Sequence, residues 1–196
     1  MALTRPAPAR GTWTYDDLLA LPEEGKRYEI IEGVLYERPA PNWAHATVLF
    51  NLTILLAPFV QALGGYLRFA PFDVFFPGAD PVQPDIVVLL PGSGGRPVRR
   101  GAEGPPALVV EVLSPSNRGH DLLTKRALYA RAGVREYWIV DPEARTLKIL
   151  VLDGDVLRGH QAATEDVAVR SPLMPAAAFP VSALFAGADL AVDEEA

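Results

Sequence analysis

The sequence contains no cysteine, which excludes disulfide bonds, zinc sites built on thiolates and cysteine nucleophiles. Any bound metal must therefore take oxygen or imidazole ligands, and oxygen-rich sites favour Mg²⁺, Mn²⁺ or Ca²⁺. The sequence also has no apolar run of the roughly 18 residues that a membrane span requires, and residues 1–14 lack the apolar stretch of a secretory signal. We expect no contact with a membrane and a cytoplasmic location.

Lysine is scarce as well, because only Lys26, Lys125 and Lys148 are lysines among the 18 basic residues. The formal net charge is −6, an unusual balance for a protein that binds nucleic acid. Residues 96–135 nevertheless carry eight Arg or Lys against three Asp or Glu, an excess of five positive charges. This excess fits a nucleic-acid partner, but ordinary variation along a chain produces such an excess too.

The length and composition favour one folded unit. A chain of 196 residues with 49% apolar content can bury one sizeable core. We predict a disordered N-terminus over residues 1–12, a single domain over residues 13–160, and a C-terminal extension with an acidic tail over residues 161–196. The predicted order of helix, hairpin, helix, strands, helix and strands is typical of an α/β (α+β) fold with a mixed central β-sheet flanked by helices.

Hydrophobic patterns and turn residues predict the individual elements. Helices are predicted over residues 14–21, 44–63 and 121–132, and strands over residues 27–32, 34–38, 66–76, 86–90, 107–113, 136–140 and 146–152. The stretch 91–106 is rich in Gly, Pro and Arg and is predicted to be a loop, whose arginines are candidates for clamping a DNA backbone. Asp-Gly-Asp at 153–155 is predicted to be a hairpin turn, and residues 181–185 a turn that packs on the core.

Two acidic residues lie where apolar residues dominate. Glu111 sits inside the run Leu-Val-Val-Glu-Val-Leu, which predicts a strand covered on both faces, and Asp85 begins another strand of that kind. A buried, isolated carboxylate costs several kcal/mol or becomes protonated, so each acid needs a partner or a metal. Two acids on adjacent strands can share one divalent cation. Taken singly, Asp85 could equally cap a turn, and Glu111 could pair with a core arginine.

Lys125 is the third candidate. One face of the predicted helix 121–132 is formed by Leu122, Lys125, Tyr129 and Ala132. Lys125 is therefore expected on the face that packs against the sheet, where a compact ammonium group would meet the acids. The alternative is a lysine at the edge of this face whose ammonium group reaches solvent.

Several segments resemble one known family. These segments are YEIIEG at 28–33, PDIVV at 84–88, LVVEVLSPS at 108–116 and GVREYWIVDP at 133–142, together with His45, Asp121, Lys125 and Tyr129. On these residues the chain resembles the Uma-type restriction endonucleases of the PD-(D/E)XK nuclease superfamily, over residues 15–157. The superfamily pattern places a lysine at position 113, where this chain has Leu113. The Uma-type branch instead carries that lysine on the following helix, which matches Lys125.

The resemblance implies the superfamily fold, Mg²⁺-dependent (or Mn²⁺-dependent) hydrolysis of DNA phosphodiester bonds, and a homodimer. Asp85, Glu111 and the Val112 backbone carbonyl would bind Mg²⁺ and leave positions for water and a phosphate oxygen. Lys125 would orient the water and stabilise charge on the phosphate. Tyr129 is expected to pack beneath Lys125.

Two further residues match the family pattern. Glu29 corresponds to the family's first acid and would complete the site, unless it pairs at the surface with Lys26 or Arg27. His45 would contact the scissile phosphate or form a hydrogen bond with Glu29, unless its role is structural. Two other functions remain open at this point, namely a nuclease-like module that binds nucleic acid or a protein partner without turnover, and a hydrolase of another phosphate ester.

Overall fold

The computed structural model describes residues 12–21, 27–31, 33–38, 40–114 and 121–189. The acidic tail and nearly all of the predicted disordered N-terminus lie outside the described residues. The strands are β1 Arg27–Ile31, β2 Val34–Arg38, β3 Tyr66–Phe69, β4 Val74–Phe75, β5 Ile86–Leu89, β6 Arg96–Val98, β7 Gly101–Glu103, β8 Leu108–Val112, β9 Glu136–Asp141, β10 Thr146–Asp153 and β11 Val156–Thr164. The helices are α1 Tyr15–Leu19, α2 Trp43–Ala62 and α3 Arg126–Ala132, with a π-helical turn Asp121–Lys125 before α3 and a 3₁₀ turn Val181–Phe185.

A six-stranded mixed sheet forms the centre of the protein, in the order β11-β10-β9-β8-β5-β3. β8 and β9 run parallel, whereas the other neighbours in this sheet are antiparallel. Every residue of β5, β8 and β9 is buried, because both faces of the sheet are covered, as the continuous apolar runs predict. The predicted fold class, a mixed central sheet flanked by helices, is confirmed.

The two faces of the sheet bury two separate cores. On one face, which we call the α2 face, residues at every fourth position of α2 pack on the sheet, namely Val48, Leu52, Leu56 and Val60. Asn42 begins this helix by accepting a hydrogen bond from the His45 backbone N–H at 2.9 Å. The opposite face, which we call the α3 face, is covered by α3 and by the loop region around β4 and β7.

Two predictions about the strands need correction. The predicted loop 91–106 contains β6 and β7, which join β4 in a second, three-stranded sheet. The predicted strand 66–76 is therefore two strands, β3 in the central sheet and β4 in the second one. Gly101 permits this pairing, because its φ is +151° and a Cβ there would lie 2.1 Å from the Asp73 carbonyl oxygen.

The chain beyond residue 160 belongs to the same core. β11 continues through Thr164, so the predicted domain boundary falls inside a strand. Phe179, Val181 and Phe185 are buried in the core of the α2 face, which confirms the predicted packing turn at 181–185. The hairpin turn at Asp-Gly-Asp is also confirmed, since β10 and β11 pair from Asp153 and Val156 onward.

The prediction that no segment is long and apolar enough for a membrane span needs correction, because α2, with 20 residues, meets both criteria. One such helix is weak evidence for a membrane span, because the core helices of soluble proteins pass the same criterion. The buried positions of α2 pack on the central sheet.

Candidate metal centre and active site

Asp85 and Glu111 lie side by side on neighbouring strands. Glu111 is completely buried within β8, and alternation along the strand directs its side chain to the α3 face. The ladder between β5 and β8 pairs Ile86 with Val110, so Asp85 comes next to the end of β8. Its carboxylate Oδ2 accepts a hydrogen bond from the Val112 backbone N–H at 2.7 Å.

Lys125 reaches this pair from the helix above the α3 face. Its side chain is fully buried, and its Nζ lies 2.9 Å from Glu111 Oε1 and 3.2 Å from Glu29 Oε2. The predicted inward direction of Lys125 is thus correct. The backbone differs from the prediction, because Asp121–Lys125 forms a π-helical turn and regular α-helix begins only at Arg126. Such turns occur often at functional sites.

Glu29 and His45 extend the cluster, Glu29 through Lys125 and His45 through Asp85. Glu29 is buried in β1, and its Oε1 accepts a hydrogen bond from the Gln83 backbone N–H at 3.0 Å. A surface pair of Glu29 with Lys26 or Arg27 would involve side chains outside the described residues. The contact of Glu29 with Lys125 lies within them. His45 projects from the first turn of α2, with its Nε2 3.5 Å from Asp85 Oδ1.

Tyr129 takes part in the site more directly than the sequence indicated. Its hydroxyl donates a hydrogen bond to Glu111 Oε1 at 2.7 Å, one helical turn after Lys125. Burial raises the pKa of Tyr129 well above its usual value, and the Glu111 carboxylate adds to this increase. Tyr129 therefore stays protonated and serves as a fixed donor to Glu111. The spacing of four residues from Lys125 was the sequence signal for this role.

The donor atoms at the site fit a hard divalent cation. Asp85 and Glu111 contribute carboxylate oxygens, and the Val112 carbonyl faces the Asp85 side because the N–H and C=O of a strand residue point the same way. Within the described part of the chain, no group of three or more His, Asp or Glu side chains is arranged to hold a metal ion. A metal here would take two carboxylates and one carbonyl, and Mg²⁺ commonly binds few protein ligands while keeping several waters.

A mixed sheet with two acids at neighbouring strand ends and a lysine from the next helix is the arrangement expected of a PD-(D/E)XK nuclease fold. The family described as "Uma2: Putative restriction endonuclease" matches residues 15–182. The chain belongs to this family.

Comparison with solved structures supports the fold independently. A crystal structure described as "a putative nuclease belonging to DUF820 from Anabaena variabilis" superimposes with a TM-score of 0.71 at 20% sequence identity. The alignment covers 88% of this chain and 97% of that chain. No curated protein matches the chain.

Proposed function

We propose that this protein is a Mg²⁺-dependent endonuclease that hydrolyses phosphodiester bonds of DNA, with Mn²⁺ as a possible substitute. The observation that carries the proposal is the 2.9 Å contact between Lys125 Nζ and Glu111 Oε1 in a buried site, one strand away from Asp85. An acid pair that can hold a metal, beside a cationic side chain, can supply the Lewis acid and the charge stabilisation that promote phosphodiester hydrolysis. Membership of the restriction endonuclease family supports a DNA substrate.

Each residue of the candidate metal centre has a role in the proposed reaction. Asp85, Glu111 and the Val112 carbonyl bind the metal, which when bound supplies a Lewis acid that lowers the pKa of water and offsets phosphate charge. Lys125 brings a positive charge to the phosphate and orients the attacking water. Its ammonium group is fixed between Glu111 and Glu29, so it needs little reorganisation when charge develops.

Glu29 and His45 are positioning residues in this scheme. Glu29 is a second carboxylate in contact with Lys125, and its own carboxylate is fixed by the Gln83 backbone N–H. His45 lies against Asp85 and restrains the orientation of that carboxylate. Partners of this kind orient the groups that bind metal, and their loss commonly costs about 10- to 100-fold in metal affinity or activity.

The test incubates supercoiled plasmid and single-stranded DNA with the wild-type protein and Mg²⁺ or Mn²⁺, and repeats the reaction after EDTA treatment. Asp85→Ala and Lys125→Ala are compared with Asp153→Ala, a control in which an exposed surface acid of β10 is removed. The proposal expects cleavage by the wild type and the control, and none with EDTA or in either site variant. Cleavage that persists in both site variants would point to a contaminating nuclease and remove the assignment.

The same experiment tests the second candidate, a nuclease-like module without turnover. The acidic net charge of −6 is the observation that favours it, because a potent cutter of DNA usually carries a basic surface. Retention of DNA without metal and without cleavage would support the module. Release of phosphate from a small ester, with DNA left intact, would support a different phosphate ester hydrolase.

The proposal also includes a homodimer in a cytoplasmic location, and the outer surface of α2 supports the dimer. None of the 20 residues of α2 is charged. Trp43, Phe50 and Ile54 are 58%, 63% and 54% exposed, and their spacing of seven and four residues forms one stripe, which we call the α2 stripe. A surface without charge offers nothing to a charged partner, but it can pack against its own copy about a twofold axis.

Light scattering after gel filtration tests the dimer. Phe50→Glu with Ile54→Glu should convert a dimer to a monomer, whereas Val167→Glu, at another exposed apolar position, should leave it unchanged. A wild-type protein that is monomeric at micromolar concentration, or a dimer that persists in the double variant, would reject this interface.

A further inference from the structure

The α3 face of the central sheet continues past the candidate active site. In the strand register, Glu111 pairs with Ile139, and Ile139 pairs with Lys148. Lys148 thus lies in the same row as Glu111, two strands away, at about 10 Å given the spacing of neighbouring strands. Alternation places Lys148 on the α3 face, because its neighbours Leu147 and Ile149 belong to the core of the α2 face.

A cavity of about 530 Å³ lies at this position, between the helix and strands β9 to β11. Arg126, Lys148 and His160 line it, and Ile139, Leu150 and Gly159 form part of its apolar wall. Among the described residues that line the cavity, none is Asp or Glu. We call it the cationic groove.

Lys148 is exposed, and within the described residues neither Lys148 nor Arg126 forms an ion pair with an acid. The Arg126 guanidinium group donates from Nε to the Leu157 carbonyl oxygen at 3.1 Å, and from a second nitrogen to the same atom. A carbonyl fixes the guanidinium group without cancelling its charge. In a chain of net charge −6, such a cavity attracts an anionic ligand.

Arg126 also connects the groove to the active site. It follows Lys125 directly, at the point where the π-helical turn gives way to α3. Lys125 is directed to Glu111, whereas Arg126 is directed to β11. The helix therefore presents one cation to the candidate metal centre and the next cation to the groove, on the same face of one sheet.

We propose that the cationic groove binds the phosphodiester backbone of the nucleic-acid strand that enters or leaves the active site. The proposal rests on the proposed nuclease function. Arg126 and Lys148 contact the phosphates next to the scissile one, and the apolar wall accepts a sugar ring. Contacts of this kind hold the strand without reading its sequence. Sequence-independent affinity with strong salt dependence is the expected behaviour.

Two variants test the groove. Lys148→Gln removes one cation, and Gly159→Leu fills the groove, where an added Cβ meets nothing within 4 Å. Arg158→Gln is the matched control, because Arg158 pairs with Val151 in the register and lies on the opposite face of β11. Circular dichroism and thermal unfolding establish that each variant is folded.

Fluorescence anisotropy with a labelled oligonucleotide in EDTA measures binding without cleavage. We expect Lys148→Gln to weaken binding about tenfold and to lower the slope of log K against log salt by about 0.7 to 0.9, with no change in the control. Gly159→Leu should weaken binding at least as much. In cleavage assays, KM should rise while kcat changes little, because binding to the ground state and the transition state is lost equally.

The outcomes separate the two proposals. Binding by Lys148→Gln and Gly159→Leu equal to that of the wild type would overturn the groove, even where the wild type cleaves DNA. A wild type that never cleaves would reject the proposed function, and the anisotropy experiment would still decide whether the groove binds the strand. The variants could instead lose the inhibition of cleavage by inorganic phosphate while they bind the oligonucleotide as the wild type does. The groove would then be a site for free phosphate, and the proposed backbone contact would be overturned.

Discussion

Glu111 and Glu136 are both buried glutamates on the neighbouring parallel strands β8 and β9, but they point to opposite faces of the sheet. On the α3 face, Glu111 meets the Lys125 ammonium group and the Tyr129 hydroxyl. On the α2 face, Glu136 accepts hydrogen bonds from uncharged groups, namely the Trp138 indole at 2.8 Å, the Ser171 hydroxyl at 2.9 Å and the Leu173 backbone N–H at 2.8 Å.

The electrostatic consequences differ as well. Burial raises the pKa of Glu136, and the hydrogen bonds from Leu173, Trp138 and Ser171, together with a weaker electrostatic interaction with His160, oppose that increase only in part. Glu136 is thus a carboxyl group that ties the segment after β11 to the sheet. Glu111 belongs to a cluster in which two carboxylates, Glu111 of β8 and Glu29 of β1, contact one lysine. Burial of an acid in an apolar strand therefore does not identify a catalytic site, whereas the charge of its partners separates the two cases.

Substitution of Glu111 and of Glu136 should differ most in the effect on the rate of DNA cleavage. Glu111→Gln should reduce the rate of DNA cleavage about 10³-fold or more, because the amide is a poor ligand for Mg²⁺ and a neutral partner for Lys125. Glu136→Gln should leave kcat/KM within about twofold, since it lies on the other face of the sheet. Initial rates of plasmid cleavage at saturating Mg²⁺ provide the measurement. Equal losses in both variants would mean that Glu111 acts only on folding.

The sequence predicted the parts of this comparison that depend on local pattern. The apolar run around Glu111 marked a buried strand, and the helix periodicity directed Lys125 inward. Each of these patterns lies within a single segment of the chain, so the local sequence is sufficient to predict it. The family resemblance, not the periodicity, identified Glu29 and His45 as candidates.

The remaining features depend on contacts between distant segments. Glu136 was predicted only as the start of a strand, because its partners Ser171 and Leu173 lie 35 and 37 residues further on. The division of residues 66–76 between two sheets follows from the pairing of β4 with β7, which no local pattern of β4 encodes. The π-helical turn before α3 covers only five residues, which is too short for hydrophobic periodicity to distinguish its i→i+5 hydrogen bonds from those of an α-helix.

The next largest effect concerns the stability of the charged cluster. Lys125→Met should lower the free energy of unfolding by about 3 kcal/mol at neutral pH, because it removes the cation between Glu29 and Glu111. Adding Glu111→Gln to Lys125→Met should recover part of this loss, because one of the two facing carboxylates is then neutral. Urea unfolding of the two single variants and the double variant measures the coupling. Additive losses would show that Lys125 and Glu111 do not stabilise each other.

A smaller effect is expected for the Tyr129 hydroxyl, which donates a hydrogen bond to Glu111. Tyr129→Phe should cost about 1 kcal/mol of stability, because Glu111 loses one buried hydrogen bond while the ring packing stays. Cleavage should slow by about tenfold through looser positioning of Glu111. The Mg²⁺ dependence of kcat/KM separates these effects, since a positioning role raises the Mg²⁺ concentration needed for half-maximal rate. An unchanged Mg²⁺ dependence would limit Tyr129 to a structural role.

The smallest effect is the dependence of stability on pH that Glu136 contributes. Because its folded pKa lies above the unfolded value of about 4.3, the folded state binds more protons between these two pKa values. The contribution of Glu136 to stability is therefore complete below the unfolded pKa and declines as the pH rises through the folded pKa. Glu136→Gln lacks this titration, so the unfolding free energy of the wild type minus that of the variant should fall as the pH rises through this window. Urea unfolding at a series of pH values measures the difference, and the variant serves as the reference for all other titrating groups. A difference that rises with pH would mean that the folded protein favours the ionised form of Glu136. Glu136 would then resemble an acid stabilised by a cation, and the contrast between the two faces of the sheet would disappear.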